Sequence, residues 1–135
     1  MVIGPRLEGA RFSLRLEAQG AVRGSGTELS QVIINLLENA LDSAGGAGGV
    51  EMITEDRNDK VLLEVRDTGP GVPAELRERV FEPFFTTKAV GRGTGLGLSI
   101  SRDIVQRHGG TLALHGSAGA FCVKLLLPRS PGGAA

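Results

Sequence analysis

Polar side chains recur at helical spacing in one segment of the chain. They are Asn35, Glu38, Asn39 and Asp42. Residues three and four apart lie on one face of a helix, so these side chains would form a stripe. Asparagine inside a helix costs about 0.5 kcal/mol relative to alanine, which suggests that the stripe has a use. Amide and carboxylate oxygens lining a cleft suit a hard cation such as Mg²⁺, although a solvated polar face has the same pattern.

A second candidate, Asp67, stands where a predicted strand runs into the sequence Thr-Gly-Pro-Gly. Glycine lets a ligand approach the backbone closely, and a carboxylate at this point is suited to reading an amino group. An Asx turn, in which the side chain bonds the backbone that follows it, explains the same motif. The residues therefore offer either a turn or a recognition point for an amino group.

A glycine-rich segment precedes the second of two predicted long helices. Its glycines alternate with other residues at Gly91, Gly93, Gly95 and Gly97. Successive free backbone amides followed by a helix N-terminus form an anion site of the kind that binds phosphate. The spacing matches neither a Walker loop nor a dinucleotide fingerprint. Lys88 and Arg92 add two cations, unless they are ordinary solvated charges.

Three phenylalanines, Phe81, Phe84 and Phe85, gather just before that glycine-rich segment. Phenylalanine buries a large apolar area, so at least one of them is expected to anchor the segment by packing. The cluster is also placed to act as the hinge of a loop that moves.

Helices that position these residues are predicted from apolar residues at helical spacing. The first covers residues 27–44, with Thr27 as its N-cap. The second covers residues 96–108 and ends in a left-handed glycine at Gly109. A short helix is predicted over residues 73–80. The inward face of the second helix is predicted to carry Gly97, Ile100, Ser101, Ile104, Val105 and His108.

Alternation of apolar and polar residues predicts five strands, over residues 11–18, 50–57, 61–66, 111–115 and 120–127. Asn58 and Asp59 are the predicted turn of a hairpin between the second and third strands. The first strand is expected to be half-buried through Phe12, Leu14 and Leu16. Strands interleaved with helices predict an α/β (α+β) two-layer sandwich, with a mixed, mostly antiparallel sheet covered on one face by helices.

Composition limits the partners and the compartment. The 135 residues make one domain, assigned to residues 1–128, with a disordered tail over 129–135. Fifteen Lys and Arg against fifteen Asp and Glu give a net charge of +0, which argues against nucleic acid or an anionic membrane as a partner. The single cysteine, Cys122, fits a reducing compartment, and residues 1–10 lack the apolar core of a secretory signal. A cytoplasmic location is therefore expected.

Taken in order, four motifs resemble the nucleotide-binding boxes of the catalytic domain of sensor histidine kinases. They read NLLENALDSA, DTGPGVP, FEPFFTTK and GRGTGLGLS, and IVQRHGG continues the match. The resemblance extends over about residues 28–128 and looks most like the nitrogen-regulation and oxygen-sensing branch. It implies the ATP-binding sandwich shared with gyrase, the large heat-shock chaperone and the mismatch-repair ATPases, often called the Bergerat fold.

The resemblance also implies ATP and Mg²⁺ as cofactors and gives the site residues their roles. Asn39 would coordinate a Mg²⁺ that bridges the phosphates, and Asn35 would lie near the same phosphates. Asp67 would accept a hydrogen bond from the adenine amino group. Gly69 and Gly71 would give the base room.

Residues 81–95 would form the ATP lid, with the phenylalanine cluster at its start. Phosphate contacts in and after this lid are assigned to Lys88, Arg92, Gly93, Thr94, Gly95, Leu96 and Gly97. Asp42 belongs to the same site, but many histidine kinases have lysine there, so Lys88 or Arg92 would have to supply that phosphate contact. Gly119 also departs from the family, which often has a hydroxyl residue there for a water-mediated adenine contact.

The activity implied is transfer of the ATP γ-phosphoryl group to a histidine on a separate helical dimerisation and phosphoacceptor domain, with a response regulator downstream. The chain shows no phosphoacceptor motif around His108 or His115, which are expected to be structural. The isolated domain is expected to be monomeric. Glu38 could polarise the attacking imidazole. Hydrolysing relatives have glutamate in the place of Asn35, so hydrolysis by this domain is expected to be slow.

Two alternatives remain open at the level of sequence. One is an ATPase clamp of the gyrase or chaperone type, which rapid ATP turnover without a partner would favour. The other is a degenerate or anti-sigma-like nucleotide-binding module that acts by gripping a protein partner. Asn35 argues against the first, and the intact Asn39 and Asp67 argue against loss of ATP binding in the second.

Overall fold

The computed structural model describes residues 11–18, 22–45, 48–82, 97–117 and 119–129. Within them the chain forms, in order, β1 (Arg11–Leu16), α1 (Gly26–Ala44), β2 (Gly49–Arg57), β3 (Lys60–Asp67), α2 (Gly97–Arg107), β4 (Thr111–Ser117) and β5 (Ala120–Pro128). The predicted order of strands and long helices is confirmed. Neither helix in this described part is long and apolar enough to cross a membrane.

The strands form one five-stranded sheet in the order β1-β2-β3-β5-β4. β1 pairs with β2 in parallel, and the remaining neighbours pair antiparallel. The predicted hairpin turn between β2 and β3 is confirmed, with Asn58 at a positive φ of 58°. The predicted two-layer sandwich with a mixed, mostly antiparallel sheet is confirmed as well.

The core lies between the two helices and one face of this sheet. Five residues of α1 at helical spacing are buried, namely Val32, Leu36, Leu37, Ala40 and Leu41. α2 contributes Ile104 and Val105, and β5 contributes alternate residues from Phe121 to Leu127. This packing holds α1 firmly, because truncating a buried leucine to alanine typically costs about 2–5 kcal/mol.

α1 begins before the predicted N-cap. Ser25 is the N-cap, and its hydroxyl accepts a hydrogen bond from the Glu28 amide at 3.1 Å. The Ser25 amide in turn donates to His108 Nε2 at 3.1 Å. Thr27, the predicted cap, therefore lies inside the first turn, because a contact from the far end of α2 fixes the serine instead.

α2 ends at the predicted glycine. Gly109 has a φ of +81°, and its amide donates to the Gln106 carbonyl at 3.0 Å. The Gly110 amide donates to the Val105 carbonyl at 2.9 Å. These bonds form the Schellman arrangement, which confirms the left-handed stop. His108 Nδ1 lies 2.7 Å from the Ile104 carbonyl, so the imidazole is held at both nitrogens, as a structural histidine would be.

Predictions of burial fail at the margins of the core. Leu14 and Leu16 are 53% and 59% exposed, because β1 is an edge strand and α1 packs over β2 and β3. Ile100 in the first turn of α2 is 44% exposed, although it was expected on the inward face. The periodicity of a sequence predicts which face of a helix or strand points inward, but it does not predict how much of that face the neighbouring layer covers.

The short helix predicted over residues 73–80 is wrong. The segment forms two 3₁₀ turns, Ala74–Leu76 and Arg79–Phe81. Between them the Arg77 guanidinium donates to the carbonyls of Val72, Leu114 and Gly116, which ties the segment to β4. A helix of this length has little stability of its own, so these contacts determine the backbone path.

Candidate nucleotide site

Asp67 ends β3 beneath the last turn of α1. Its side chain is buried, with 5% of the residue exposed. Oδ1 accepts hydrogen bonds from the Gly69 amide at 2.8 Å and from the Ser43 hydroxyl at 3.2 Å. The first bond is the Asx turn that the sequence allowed. Within the described residues both bonds go to Oδ1, so Oδ2 is the oxygen available to a donor on a ligand.

The electrostatics of this carboxylate are set by burial. Desolvation raises the pKa of Asp67 above its ordinary value, while the Gly69 amide and the Ser43 hydroxyl lower it. Burial disfavours the ionised form because the charge loses its hydration, and donors that bond the ionised form restore part of that loss. Both of these donors are neutral, so they stabilise the ionised form of the carboxylate without cancelling its charge.

The turn after β3 requires glycine at two positions. A Cβ added at Gly69 would overlap the hydroxyl and backbone carbonyl of Ser43. Gly71 has a φ of +73°, and an added Cβ would lie 3.1 Å from Phe121 Cδ1. The Gly119 amide donates to the Gly69 carbonyl at 2.8 Å. Gly119 thus lacks the hydroxyl common in the family but braces the same turn through its backbone.

The polar stripe of α1 lies where the sequence placed it. Each member is half-buried, and the stripe comprises Asn35, Glu38, Asn39 and Asp42. Asn39 faces the beginning of α2, since a Cβ added at Gly97 would lie 3.9 Å from Asn39 Nδ2. The Asn39 amide therefore adjoins the point at which the predicted lid meets α2.

Asn35 is held by hydrogen bonds at both ends of its amide. Oδ1 accepts from Gln31 Nε2 at 3.0 Å, whereas Nδ2 lies 3.3 Å from the Ser101 hydroxyl and 3.5 Å from the Gly97 carbonyl. Ser101 has an exposed fraction of 0%. Asn35 thus ties α1 to the first turns of α2. Because an amide cannot act as a general base, this position offers none for water activation.

The described residues offer few ligands for a metal ion, which suits a cation bound mainly by the phosphates of a nucleotide. No group of three or more His, Cys, Asp or Glu side chains suited to a metal occurs among the described residues. Mg²⁺ commonly takes one or two protein oxygens together with phosphate oxygens and water. One amide oxygen from Asn39 fits that ligand set.

Most of the predicted lid lies outside the described residues. This applies to Phe84, Phe85, Lys88, Arg92, Gly93, Thr94, Gly95 and Leu96. Phe81 lies in the second 3₁₀ turn and is buried, with the Arg102 guanidinium 4.3 Å from the centroid of its ring. The prediction that at least one of the three phenylalanines packs as an anchor is confirmed, and the hinge stays a prediction.

Sequence reasoning missed two serines that contact the site residues. Ser43 stands four residues after Asn39 and so extends the polar stripe of α1 by one turn. Ser101 interrupts the apolar face of α2, and a hydroxyl buried among apolar residues signals a specific partner. The sequence pattern therefore marks both serines as unusual, but it does not predict which residue each one contacts.

Comparison with known proteins identifies the family of the chain. The family model for histidine kinase-, DNA gyrase B-, and HSP90-like ATPases matches residues 24–131. The two-component sensor PprA of Pseudomonas aeruginosa is 47% identical in an alignment 123 positions long, which covers 83% of this chain and 13% of PprA. The chain therefore corresponds to a small part of that relative.

Solved structures share the fold over nearly the whole chain. The nucleotide-free catalytic domain of histidine kinase ThkA superposes with a TM-score of 0.82 at 35% identity, covering 93% of this chain and 83% of that one. Full-length ShkA in complex with AMPPNP gives 0.83 at 28% identity, covering 96% and 28%. ThkA in complex with the response regulator TrrA gives 0.76 at 33% identity, covering 90% and 35%.

The family match includes α1, the end of β3 and α2, which are the elements that build the site. The relatives and structures that share them are sensor kinases. This chain belongs to the histidine kinase-, DNA gyrase B- and HSP90-like ATPase family, as a catalytic ATP-binding domain of the sensor histidine kinase type.

Proposed function

We propose that this chain binds ATP with Mg²⁺ and transfers the γ-phosphoryl group to a histidine on a separate dimerisation and phosphoacceptor domain, as the catalytic part of a two-component sensor kinase. The observation that carries the proposal is the buried Asp67 carboxylate, whose Oδ1 is held by Ser43 and Gly69. Such a group suits an adenine amino donor. The polar stripe of α1, which lies one turn before Ser43 on the same helix, would then meet the phosphates.

At the base end, Asp67 Oδ2 accepts a hydrogen bond from the 6-amino group of adenine. Guanine carries an acceptor oxygen at the same place and would be repelled. Gly69 and Gly71 keep the backbone free of side chains beside the base. The expected selectivity is therefore for ATP over GTP.

At the phosphate end, Asn39 would supply an amide oxygen to Mg²⁺, and the bound ion would neutralise phosphate charge. Asn35 keeps α2 in place beside this end through Ser101 and Gly97. Asp42 adjoins the same end on α1. The lid contacts assigned to Lys88, Arg92 and residues 93–97 complete the cradle in this proposal. Positioning and charge neutralisation supply most of the catalysis of phosphoryl transfer.

In the transfer step, an imidazole nitrogen of the acceptor histidine forms a bond to the γ-phosphorus while the bond to the β–γ bridging oxygen breaks and ADP leaves. Glu38, beside Asn39 on α1, is proposed to polarise that imidazole. Asn35 leaves the chain without a base at the place where hydrolysing relatives have glutamate. The geometry therefore favours phosphotransfer over the ATPase clamp.

The partners follow from this role. The first is the helical dimerisation domain of the same kinase, and the second is a response regulator. ThkA, a structural relative, is known in complex with its regulator TrrA. We place the chain in the cytoplasm, as part of a protein that is free or attached to a membrane through other segments, and we expect this domain alone to be monomeric.

The test is a calorimetric titration of the chain with a non-hydrolysable ATP analogue, with and without Mg²⁺, and with the GTP analogue as control. We expect binding that needs Mg²⁺ for full affinity and prefers adenine. Slow hydrolysis of ATP by the chain alone would separate it from an ATPase clamp. Absence of any nucleotide binding by the folded chain would overturn the proposal in favour of a module that grips a protein partner.

A further inference from the structure

The last turn of α1 touches the base-recognition carboxylate directly. Ser43 donates its hydroxyl to Asp67 Oδ1 at 3.2 Å, across 24 residues of chain. The same hydroxyl lies against Gly69, where an added Cβ would overlap it. The Gly69 amide, at 2.8 Å, shares the same carboxylate oxygen. Helix, strand end and turn therefore converge on one oxygen atom.

We propose that Ser43 is a positioning residue for base selection: with the Gly69 amide it fixes Oδ1 of Asp67, so that Oδ2 faces the 6-position of a purine and selects 6-amino over 6-oxo bases. This inference rests on the proposed function. It adds a specificity determinant that lies within the first of the four motifs but to which the resemblance gave no role.

Selection of this kind depends on the charge of Asp67. An ionised carboxylate accepts from the adenine amino group and repels the guanine oxygen, whereas a protonated one can donate to that oxygen. Burial raises the pKa of Asp67, and the Ser43 and Gly69 donors oppose this rise by bonding the ionised form. Ser43 thus favours the ionised form, which is the one that discriminates between the bases.

Two neutral hydrogen-bond donors, and no described cation, stabilise the ionised form of Asp67. Its register partners on the neighbouring strands are Val50 and Phe121, which carry no charge. Arg66 precedes it in β3 but pairs with Glu64 on the opposite face of the sheet. On α1 the group that acts on the Asp67 carboxylate is the neutral Ser43 hydroxyl.

The test compares Ser43→Ala with the wild-type chain, and Thr68→Val is the matched control. Thr68 lies in the same turn, and its hydroxyl accepts from the Gly49 amide at 2.9 Å rather than bonding Asp67. Alanine is a better helix former than serine, so Ser43→Ala is expected to fold. Two quantities are measured in each variant: the titration of the Asp67 carboxyl carbon by NMR without nucleotide, and the affinities for ATP and GTP analogues from neutral to mildly acid pH.

We expect Ser43→Ala to raise the pKa of Asp67 and to reduce the preference for ATP over GTP by about three- to tenfold, the effect of losing one hydrogen bond. The reduction should grow as the pH falls, because more of the variant carboxyl is then protonated. Thr68→Val should change neither the titration nor the preference.

Two results would overturn the inference while leaving the proposed function in place. One is a Ser43→Ala variant that matches Thr68→Val in both measurements. The other is a shifted titration with an unchanged preference, since Ser43 would then tune the carboxylate without serving base selection. A wild-type chain that binds neither nucleotide would overturn the proposed function, and this inference with it.

Discussion

β3 buries two carboxylates on opposite faces of the sheet. Glu64 and Asp67 are 3% and 5% exposed. On the face away from the helices, Glu64 pairs with Arg66 and with Lys124, whose Nζ lies 4.0 Å from it. On the helix face, the Asp67 carboxylate is held by a hydroxyl and a backbone amide. The same strand thus buries negative charge in two ways.

The different partners of the two carboxylates indicate different roles: a structural role for Glu64 and a role in ligand recognition for Asp67. Cations beside Glu64 neutralise its charge within the protein, so nothing remains for a ligand to satisfy. Neutral donors beside Asp67 orient the carboxylate but leave its charge in place. Burial of a charge without a counter-ion is unfavourable, and such groups cluster at functional sites.

The largest effect is expected from Asp67→Asn. Asparagine can still accept at Oδ1, but it turns an amide donor toward the adenine amino group. We expect ATP affinity to fall about 100-fold, because a buried donor is left facing a donor. The free energy of unfolding should not fall, since a neutral amide avoids the desolvation of a carboxylate. Calorimetry and urea denaturation measure the two quantities, and a large loss of stability would contradict the contrast.

Glu64→Gln is the matched substitution on the other face of the sheet. It is expected to lower stability and to leave ATP affinity unchanged. The free energy of unfolding should fall by about 1–2 kcal/mol, less than for a fully buried pair, because Arg66 is 51% exposed and can rehydrate. ATP affinity should stay at the wild-type value. A loss of affinity comparable with that of Asp67→Asn would show that the two faces are not independent.

A smaller effect is expected at the neutral contact between α1 and α2. Ser101→Ala removes the Ser101 hydroxyl from Asn35 Nδ2 and should lower the free energy of unfolding by about 1 kcal/mol. Ser30→Ala, at an exposed position of α1, is the control. In a double-mutant cycle, Ser101→Ala and Asn35→Ala should be non-additive, since they remove the same contact. Additive losses would mean that Asn35 does not act through Ser101.

The smallest effect is a pH dependence of stability. The pKa of Asp67 is raised in the folded chain above the ordinary value of 3.8. The folded state therefore binds the proton more tightly, so the contribution of this group to stability is greatest below the unfolded pKa and declines as the pH rises through the folded one. The stability difference between wild type and Asp67→Asn should follow this course in urea titrations. A difference that does not change with pH would contradict it.

Much of the fold was predictable because local patterns determine it. Helical spacing of apolar residues gave the buried stripe of α1, and alternation gave the strands and their hairpin. The predictions failed where a distant contact overrides a local preference. Ser25 caps α1 instead of Thr27 while its amide bonds His108, and two 3₁₀ turns replace a helix where Arg77 reaches the carbonyls of β4.

For the candidate site, the types and spacing of the residues predicted the stripe of α1 and a carboxylate at the end of β3. The roles of all the site residues in nucleotide binding and phosphotransfer stay predictions, as does the branch within the family. Ser43 and Ser101 could not be assigned in advance, because a serine in a helix has many possible partners.

The sequence by itself determined the elements, the stripe and the position of Asp67 at a strand end, because propensity and periodicity act over a few residues. Only the tertiary structure decided which groups meet: Ser43 with Asp67, Asn35 with Ser101 and Ser25 with His108, at separations of 24, 66 and 83 residues. Packing of α1 against the sheet and against α2 brings these pairs together. A contact between two elements cannot be predicted from the local sequence of either element alone.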